Sequence, residues 1–284
     1  MTEIQTQAIC DLLLNESVKA WNMIKFNRAR IERMSETTIT EQLVYNIESD
    51  ITANNHPIRL FQSRKENVNG NDMEIFVNTG DGFLLLPCQA KITNKEYRYE
   101  HFWHTVNASR QISLLCDYAK DLGGIPAYLF YNYIPREAQN EAFKKIVHQE
   151  RYGITFTEAN PFLNILEERR LSGNPLNAPT FNSLHPHPAK PLHVQVCDMI
   201  NGLMNMNSFS LNYDLTYYNI RDITQNRNWE HSRRGTIGFI QSGDWKKKAG
   251  RAAENSNNDA FRPKYRLILG DETADNERRI YQIS

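Results

Sequence analysis

The chain has 284 residues, of which 40% are hydrophobic, so it is long enough and apolar enough to bury a sizeable core. Its 33 basic and 33 acidic residues cancel, which excludes an overall electrostatic attraction for nucleic acid or for anionic membranes. Any binding of a polyanion must therefore use a local basic surface.

The cysteines and the first residues indicate a cytoplasmic protein. The cysteines lie far apart and form no C-x-x-C pair, so we expect neither a disulfide framework nor a zinc knuckle. They are Cys10, Cys88, Cys116 and Cys197. The N-terminal sequence lacks a basic signal-peptide region, and no run approaches the roughly 20 apolar residues that span a bilayer. We therefore expect a reducing, cytoplasmic environment and no membrane partner.

Residues 1–34 have the pattern of an N-terminal helical segment. A second helix is predicted from about Glu36, because Ile39, Leu43 and Ile47 recur every four residues and form one apolar stripe. A rotation of about 100° per residue puts Glu36 on the same stripe. We expect the Glu36 side chain to face inward.

A short strand is predicted at residues 57–61, followed by a loop and then a β-hairpin. Side chains two apart in a strand share a face, so Asp72 and Glu74 lie opposite the apolar side of the first hairpin strand. The second strand, residues 83–92, carries Gln89 and Lys91 on one face. Three polar groups, Asp72, Gln89 and Lys91, are therefore expected to converge. Glu74 points to the same side and is interpreted as solvated, with a second ligand as the alternative.

The remaining elements complete an α/β pattern. A long helix is predicted at residues 100–120 and a strand at 125–131, so a mixed sheet with helices on both faces is the simplest architecture. Pro87 lacks a backbone N–H and therefore predicts a bulge or an unpaired position in its strand, just before Gln89. Further helices are predicted at residues 136–150 and 158–170, with a loop at 174–191.

An acid followed by an amide two residues before a lysine is a residue set suited to metal-dependent phosphodiester hydrolysis. A carboxylate is a preferred ligand of Mg²⁺, and Mn²⁺ accepts the same oxygen donors. The second position completes the metal shell, and the ammonium group orients water and offsets charge in the transition state.

The segments Gly70-Asn71-Asp72 and Gln89-Ala90-Lys91 resemble the motifs of the PD-(D/E)xK nuclease superfamily, most closely its Mrr-like branch, in which Gln replaces the second acid. The resemblance covers roughly residues 35–133. It implies a restriction-endonuclease-like αβββαβ core at residues 35–135, preceded by the N-terminal helices and followed by a C-terminal extension at 136–284. It also implies that Asp72 binds the metal, that Gln89 holds the second acid position, and that Lys91 is the catalytic lysine.

The resemblance extends to other polar residues. Glu36 is similar in placement to a helix glutamate of many members and is a candidate metal ligand, and Glu66 is a further candidate acid. Gln111 resembles a polar residue that faces the site and its nucleic acid. His101 and His104, one turn apart on the predicted helix, are interpreted as packing or phosphate contacts rather than as metal ligands.

A basic cluster in the C-terminal extension is a candidate phosphate-binding surface. Its residues are Arg233, Arg234, Lys246, Lys247, Lys248 and Arg251, with Arg262, Lys264 and Arg266 in the tail. Trp229 and Trp245 flank the cluster and offer stacking faces. The alternative is that these charges are solvated surface.

The sequence therefore predicts a Mg²⁺- or Mn²⁺-dependent DNA endonuclease, in the bacterial restriction or anti-phage role that the resemblance implies. One alternative is a catalytically inactive module that binds nucleic acid or a partner protein. Another is a ribonuclease with the same site. Whether the chain forms a homodimer is left open.

Overall fold

The computed structural model describes residues 1–29, 34–54, 56–63, 72–106, 109–172, 175–204, 215–224, 229–231 and 263–271. The helices are α1 (Glu3–Arg28), α2 (Glu36–Asn54), α3 (Gln111–Leu122), α4 (Glu141–Lys144), α5 (Asn160–Ser172), α6 (Phe181–Leu184), α7 (Leu192–Ile200) and α8 (Ile220–Thr224), with 3₁₀ turns at Arg136–Ala138 and Gln149–Tyr152. The strands are β1 (Ile58–Ser63), β2 (Asp72–Asn78), β3 (Phe83–Ile92), β4 (Thr105–Val106), β5 (Ser109–Arg110), β6 (Ala127–Tyr131), β7 (Ile154–Glu158), β8 (Lys190–Pro191), β9 (Tyr217–Tyr218), β10 (Trp229–His231) and β11 (Tyr265–Leu269).

Within the described residues, nine strands form one mixed sheet in which the main order is β10-β1-β11-β2-β3-β6-β7-β8. The β2–β3 hairpin is antiparallel, and β3 runs parallel to β6, with α3 in the connection between them. The C-terminal strand β11 lies between β1 and β2 and runs parallel to β2. The chain is thus an α/β protein with a mixed central sheet flanked by helices, as predicted.

The two faces of the sheet carry separate apolar clusters. Alternate residues of the strands, such as Ile75 and Leu86, pack with α1, α2 and α7 on one face. On the other face Phe76 and Leu85 pack with the end of α3 and with α8, and the β6 side chains pack with α3 and α5. This alternation confirms the predicted faces of the hairpin strands, and the burial of Ile39, Leu43 and Ile47 confirms the stripe on α2.

Of the two alternatives expected at Pro87, a bulge or an unpaired position, the bulge is absent. The β2–β3 register runs unbroken from Asp72↔Gln89 to Asn78↔Phe83, and Pro87 pairs with Glu74. Odd-numbered residues of β3 direct their backbone groups toward the β6 side, since the Leu85 carbonyl accepts from the Ile125 amide at 3.0 Å. The missing N–H of Pro87 therefore faces the start of β6, and the β2 ladder does not need it.

The helix predicted at residues 100–120 is wrong over its first half, because α3 begins only at Gln111. The preceding segment forms turns and short bridges instead, and Tyr97 and His101 have positive φ angles of 60° and 55°, which end a right-handed helix. Phe102 is buried against the aromatic cluster beside β6. Tertiary packing of this segment therefore overrides its helical periodicity.

Beyond residue 135 the predicted elements are only partly correct. A continuous helix at 136–150 is replaced by two 3₁₀ turns and the short α4, whereas α5 matches the helix predicted at 158–170. Helix α7 begins immediately after the predicted loop. The three-segment division of the chain stays a prediction, but β7 and β11 place residues beyond 135 in the same sheet as the hairpin.

The expectation that no disulfide forms is wrong for one pair of cysteines. Cys10 of α1 and Cys197 of α7 are joined by a disulfide across a sequence separation of 187 residues, whereas Cys88 and Cys116 are free and buried. Their distance in sequence concealed a contact that the packing of α1 on α7 creates. In the described parts of the chain, no helix has the length and apolar character to span a bilayer. The cytoplasmic location stays a prediction.

Candidate active site

The hairpin strands bring the positions of Asp72, Gln89 and Lys91 to one face of the sheet. Asp72 pairs directly with Gln89 in the antiparallel ladder, and Lys91 follows two residues later in β3. Residues that pair directly belong to the same face, and residues two apart share it. The side chain of Asp72 lies outside the description, so its place is known only from the backbone register.

Lys91 is held from two sides although its side chain is almost fully buried. Only 5% of the residue is exposed, and Nζ donates to the His101 carbonyl at 3.3 Å and to Gln111 Oε1 at 3.2 Å. Gln111 is the first residue of α3, so the start of this helix positions the lysine. Gln111 therefore contacts the lysine, and its role at nucleic acid stays a prediction.

Gln89 presents an unusual buried group. The residue is 3% exposed, and its Oε1 accepts no hydrogen bond from the described residues. An unsatisfied buried acceptor costs about 1–3 kcal/mol, so such a group is uncommon unless a water, cation or ligand completes it. Its oxygen chemistry fits a hard cation such as Mg²⁺, as does the carboxylate type of Asp72.

Glu74 is not solvated, which corrects the sequence interpretation. It is fully buried, its Oε2 accepts a hydrogen bond from Nε of Arg266 at 2.8 Å, and the Nη2 of the same arginine lies 2.6 Å away as an ion-pair contact. The Tyr118 hydroxyl of α3 donates to Glu74 Oε1. Burial and the adjacent Glu74 carboxylate raise the pKa of Tyr118 well above its usual value. Glu74 is thus committed to an internal network and is not a further metal ligand.

The prediction that Arg266 belongs to a basic tail is also wrong, because the residue is fully buried in β11. The signal was present in the sequence: Tyr265-Arg266-Leu267-Ile268-Leu269 is an apolar strand interrupted by one arginine, and a buried arginine requires an acidic partner. Lys264 does remain partly exposed and pairs with Glu41 at 2.7 Å.

Glu36 does not lie on the face that carries Gln89 and Lys91. It begins α2, which packs on the opposite face, and its side chain lines a cavity at the carboxyl end of β3. The Glu36 side chain is half-buried, which is consistent with the inward direction expected from the sequence. Its role as a metal ligand stays a prediction.

Several predicted residues lie outside the described residues. They are Glu66, Arg233, Arg234, Lys246, Lys247, Lys248, Arg251 and Arg262. The predictions that concern the loop acid and the basic cluster therefore stay untested.

His101 and His104 lie in a turn rather than on a helix, with ring centroids 6.3 Å apart and nearly perpendicular. Among the residues that the structure describes, no group of three or more His, Cys, Asp or Glu side chains could hold a metal ion. A metal in this site would therefore depend on Gln89 together with side chains that the structure does not describe, such as that of Asp72.

A family model described as "Family of unknown function (DUF6615)" matches residues 9–266. No curated protein and no solved structure matches the sequence. Since the family match spans far more than half of the 284 residues, the chain belongs to the DUF6615 family.

Proposed function

We propose that the chain is a Mg²⁺- or Mn²⁺-dependent nuclease of the PD-(D/E)xK type that hydrolyses DNA phosphodiester bonds. The observation that carries the proposal is the unpartnered, buried Oε1 of Gln89, two residues from a buried Lys91 and paired in register with Asp72. A sheet built only for stability has no reason to leave this acceptor unsatisfied.

The order of elements supports the same proposal. Helix α2, strands β1 to β3, helix α3 and strand β6 follow one another as in the restriction-endonuclease-like core, and β3 runs parallel to β6. The chain departs from a contiguous three-strand meander, because β11 lies between β1 and β2.

In the proposed reaction, Asp72 and Gln89 would hold the cation, which supplies Lewis-acid polarisation of the scissile phosphate. Lys91 would act as a fixed positive charge beside the phosphate oxygens. Because the His101 carbonyl and Gln111 hold its ammonium group in place, little reorganisation is needed when negative charge develops in the transition state. Bacterial restriction or anti-phage defence is the role that the resemblance implies.

The direct test is to incubate the purified chain with circular and linear DNA in the presence of Mg²⁺, Mn²⁺ or EDTA. We expect products that EDTA suppresses, and a loss of about 100-fold or more in Asp72→Asn and Lys91→Met. Lys120→Met, which changes an exposed lysine of α3, is the matched control and should cleave normally. Undiminished cleavage by both site variants would overturn the proposal.

The second candidate is a catalytically inactive module that binds nucleic acid or a protein. It is favoured by the hydrogen bonds that already engage Lys91 within the protein and by the neutral Gln89 in place of an acid. Calorimetry without any uptake of Mg²⁺ or Mn²⁺, with and without DNA, would favour this candidate. RNA assayed beside DNA distinguishes a ribonuclease from a deoxyribonuclease.

A further inference from the structure

Helix α3 carries two polar side chains that reach two different strands on the face of the candidate site. Gln111, the first residue of the helix, accepts from Lys91 Nζ at 3.2 Å. The Tyr118 hydroxyl donates to Glu74 Oε1. Gln111 and Tyr118 are seven residues apart, which is about two turns, so they share one side of the helix and lie about 10 Å apart along its axis. One side of α3 is therefore bonded to β3 and to β2.

The two partners have a similar spacing on the sheet. Glu74 of β2 pairs with Pro87 of β3, and Lys91 lies four residues farther along β3, which is about 13 Å. Because α3 connects the parallel strands β3 and β6, it runs back against their direction, and its first turn lies at the carboxyl end of β3. A shift of the helix along the strands would therefore disturb both hydrogen bonds at once.

Two acceptors of the Lys91 ammonium group are joined to the start of α3. The Gln111 amide donates to the His104 carbonyl at 3.0 Å, and the His104 amide donates to the His101 carbonyl at 3.1 Å. That same His101 carbonyl accepts from Lys91 Nζ at 3.3 Å. The turn at residues 101–104 and the first residue of α3 thus form one hydrogen-bonded unit. A movement of α3 would move the His101 carbonyl and the Gln111 side chain together.

The hydrogen bonds to Lys91 tolerate little movement. Their lengths of 3.2 Å and 3.3 Å are at the long end of the usual N–H···O range, which is about 2.7–3.2 Å. A displacement of about half an ångström would therefore break them. The apolar packing of α3, through Ile112, Leu115 and Ala119, is non-directional and fixes the position of the helix less sharply.

The Glu74 carboxylate gives Tyr118 a fixed anchor. Its Oε2 accepts from Nε of Arg266 at 2.8 Å, and Nη1 of the same arginine donates to the Ile223 carbonyl at 2.8 Å. Glu74 and Arg266 are fully buried, so the oxygen that meets Tyr118 has little freedom to move. A hydrogen bond to a carboxylate is also stronger than one between neutral groups. The contact of Tyr118 is thus directional, strong and held from the side of β11.

We propose that Tyr118 is a positioning residue for Lys91. Its hydroxyl, bound to Glu74, sets where α3 lies along the sheet, and the start of the helix in turn holds the lysine ammonium group at the site. The catalytic consequence rests on the proposed nuclease, because a displaced Lys91 would stabilise the transition state less. The placement of the ammonium group itself can be measured whether or not the chain cleaves DNA.

Tyr118→Phe removes one hydroxyl and keeps the ring that packs on the core. Tyr131→Phe is the matched control, because it removes a buried hydroxyl that lies 2.8 Å from Thr40 Oγ1 on the opposite face of the sheet. Urea denaturation of both variants measures the stability that each one loses. A loss that the two variants share does not explain a difference between them at Lys91.

The first readout is the NMR signal of the Lys91 ammonium group in the full-length chain labelled with nitrogen-15 lysine. An ammonium group that is hydrogen-bonded and shielded from water exchanges its protons slowly enough to give a peak, and Lys91→Met identifies which peak it is. We expect the peak in the wild type and in Tyr131→Phe, and we expect it to be shifted or lost in Tyr118→Phe and Gln111→Leu. Its absence from the wild type would show that the lysine is not held and would overturn the proposal.

The second readout is DNA cleavage with Mg²⁺ or Mn²⁺. Tyr118→Phe should lower kcat about 10-fold or more and change KM by less than about twofold, because a positioned charge acts mainly on the transition state. Tyr118→Phe combined with Gln111→Leu should lower kcat little beyond the larger single effect, since both residues act through Lys91. Single losses that multiply in the double variant would contradict this shared route and overturn the proposal.

The positioning role and the nuclease fail in different ways. An unchanged Lys91 peak in Tyr118→Phe overturns the positioning role, even where cleavage falls. Equal kcat values for Tyr118→Phe and Tyr131→Phe, in a chain that cleaves, also overturn it. A wild-type chain that cleaves no DNA overturns the nuclease, and the Lys91 peak then still decides the role of Tyr118.

Discussion

Two buried polar residues on the same face of the sheet, Glu74 and Gln89, differ in how completely they are satisfied. The Glu74 carboxylate receives hydrogen bonds from Arg266 and Tyr118, which come from β11 and α3. The Gln89 oxygen receives none from any described residue. The difference separates a polar group that holds strands and a helix together from a buried acceptor that no described residue serves.

The largest effect is expected when the satisfied pair is broken. Glu74→Leu leaves the fully buried Arg266 without its counter-charge, which should cost about 3–5 kcal/mol of unfolding free energy. The double variant Glu74→Leu with Arg266→Met removes both charges and should regain most of that loss. Urea denaturation measures both, with Glu141→Ala, in an exposed pair, as the control.

If the double variant is no more stable than the single one, the Glu74–Arg266 pair contributes more than the neutralisation of a buried charge.

A loss of stability on the other face of the sheet should leave the site intact. Replacing Cys10 and Cys197 by serine removes a crosslink between distant parts of the chain, which should lower the unfolding free energy by about 2–4 kcal/mol. Urea denaturation measures this loss, and DNA cleavage below the unfolding temperature should be unchanged. An unaltered urea midpoint would show that the crosslink contributes nothing.

His185 is a third buried polar side chain, and it is satisfied only while its imidazole is neutral. Its Nε2 lies 2.9 Å from Thr155 Oγ1 and its Nδ1 2.9 Å from the Phe181 carbonyl, and burial lowers its pKa from 6.5 to about 3. Since the unfolded chain binds the proton first, this stability is present above pH 6.5 and is lost as the pH falls below it.

Between pH 7.5 and pH 5 the loss from His185 should be about 2 kcal/mol. Burial also lowers the pKa of His193, to about 4, which acts in the same direction. Urea denaturation at the two pH values measures the sum, and His185→Gln should reduce it whereas His187→Gln, at an exposed position, should not. An equal pH dependence in His185→Gln would contradict the assignment.

The elements that could be predicted from the sequence are those with local periodicity. The alternation of β2 and β3 and the apolar stripe of α2 depend only on residues close together in sequence. The placement of Asp72, Gln89 and Lys91 on one face could therefore be predicted from this periodicity. The predicted hairpin turn also matches, with Gly80 and Gly82 at positive φ.

What the sequence did not reveal depends on contacts between distant segments. The insertion of β11 between β1 and β2 and the Cys10–Cys197 crosslink join residues far apart in the chain. The same holds for the Arg266 partner of Glu74, which reversed the interpretation of both residues. The turn around His101 was missed because buried aromatic contacts outweighed helical spacing there.

The smallest effect on stability is expected at the unsatisfied Gln89 oxygen, which makes Gln89 the most sensitive test of its contrast with Glu74. Gln89→Leu removes an acceptor that no described residue serves, so the unfolding free energy should change by less than about 1 kcal/mol or should rise. Under the proposed function, cleavage should nevertheless fall by about 100-fold or more, because the proposed metal site would lose a ligand.

Gln89→Glu is expected to have the opposite effect on metal binding and cleavage from Gln89→Leu. A carboxylate there supplies the acid that Gln replaces in the motif, so it should bind Mg²⁺ more tightly and keep cleavage. Calorimetry with Mg²⁺ and cleavage rates, measured beside the urea midpoint, distinguish the two roles of position 89. A Gln89→Leu variant that is strongly destabilised yet cleaves normally would place Gln89 with Glu74, as a structural group rather than a ligand.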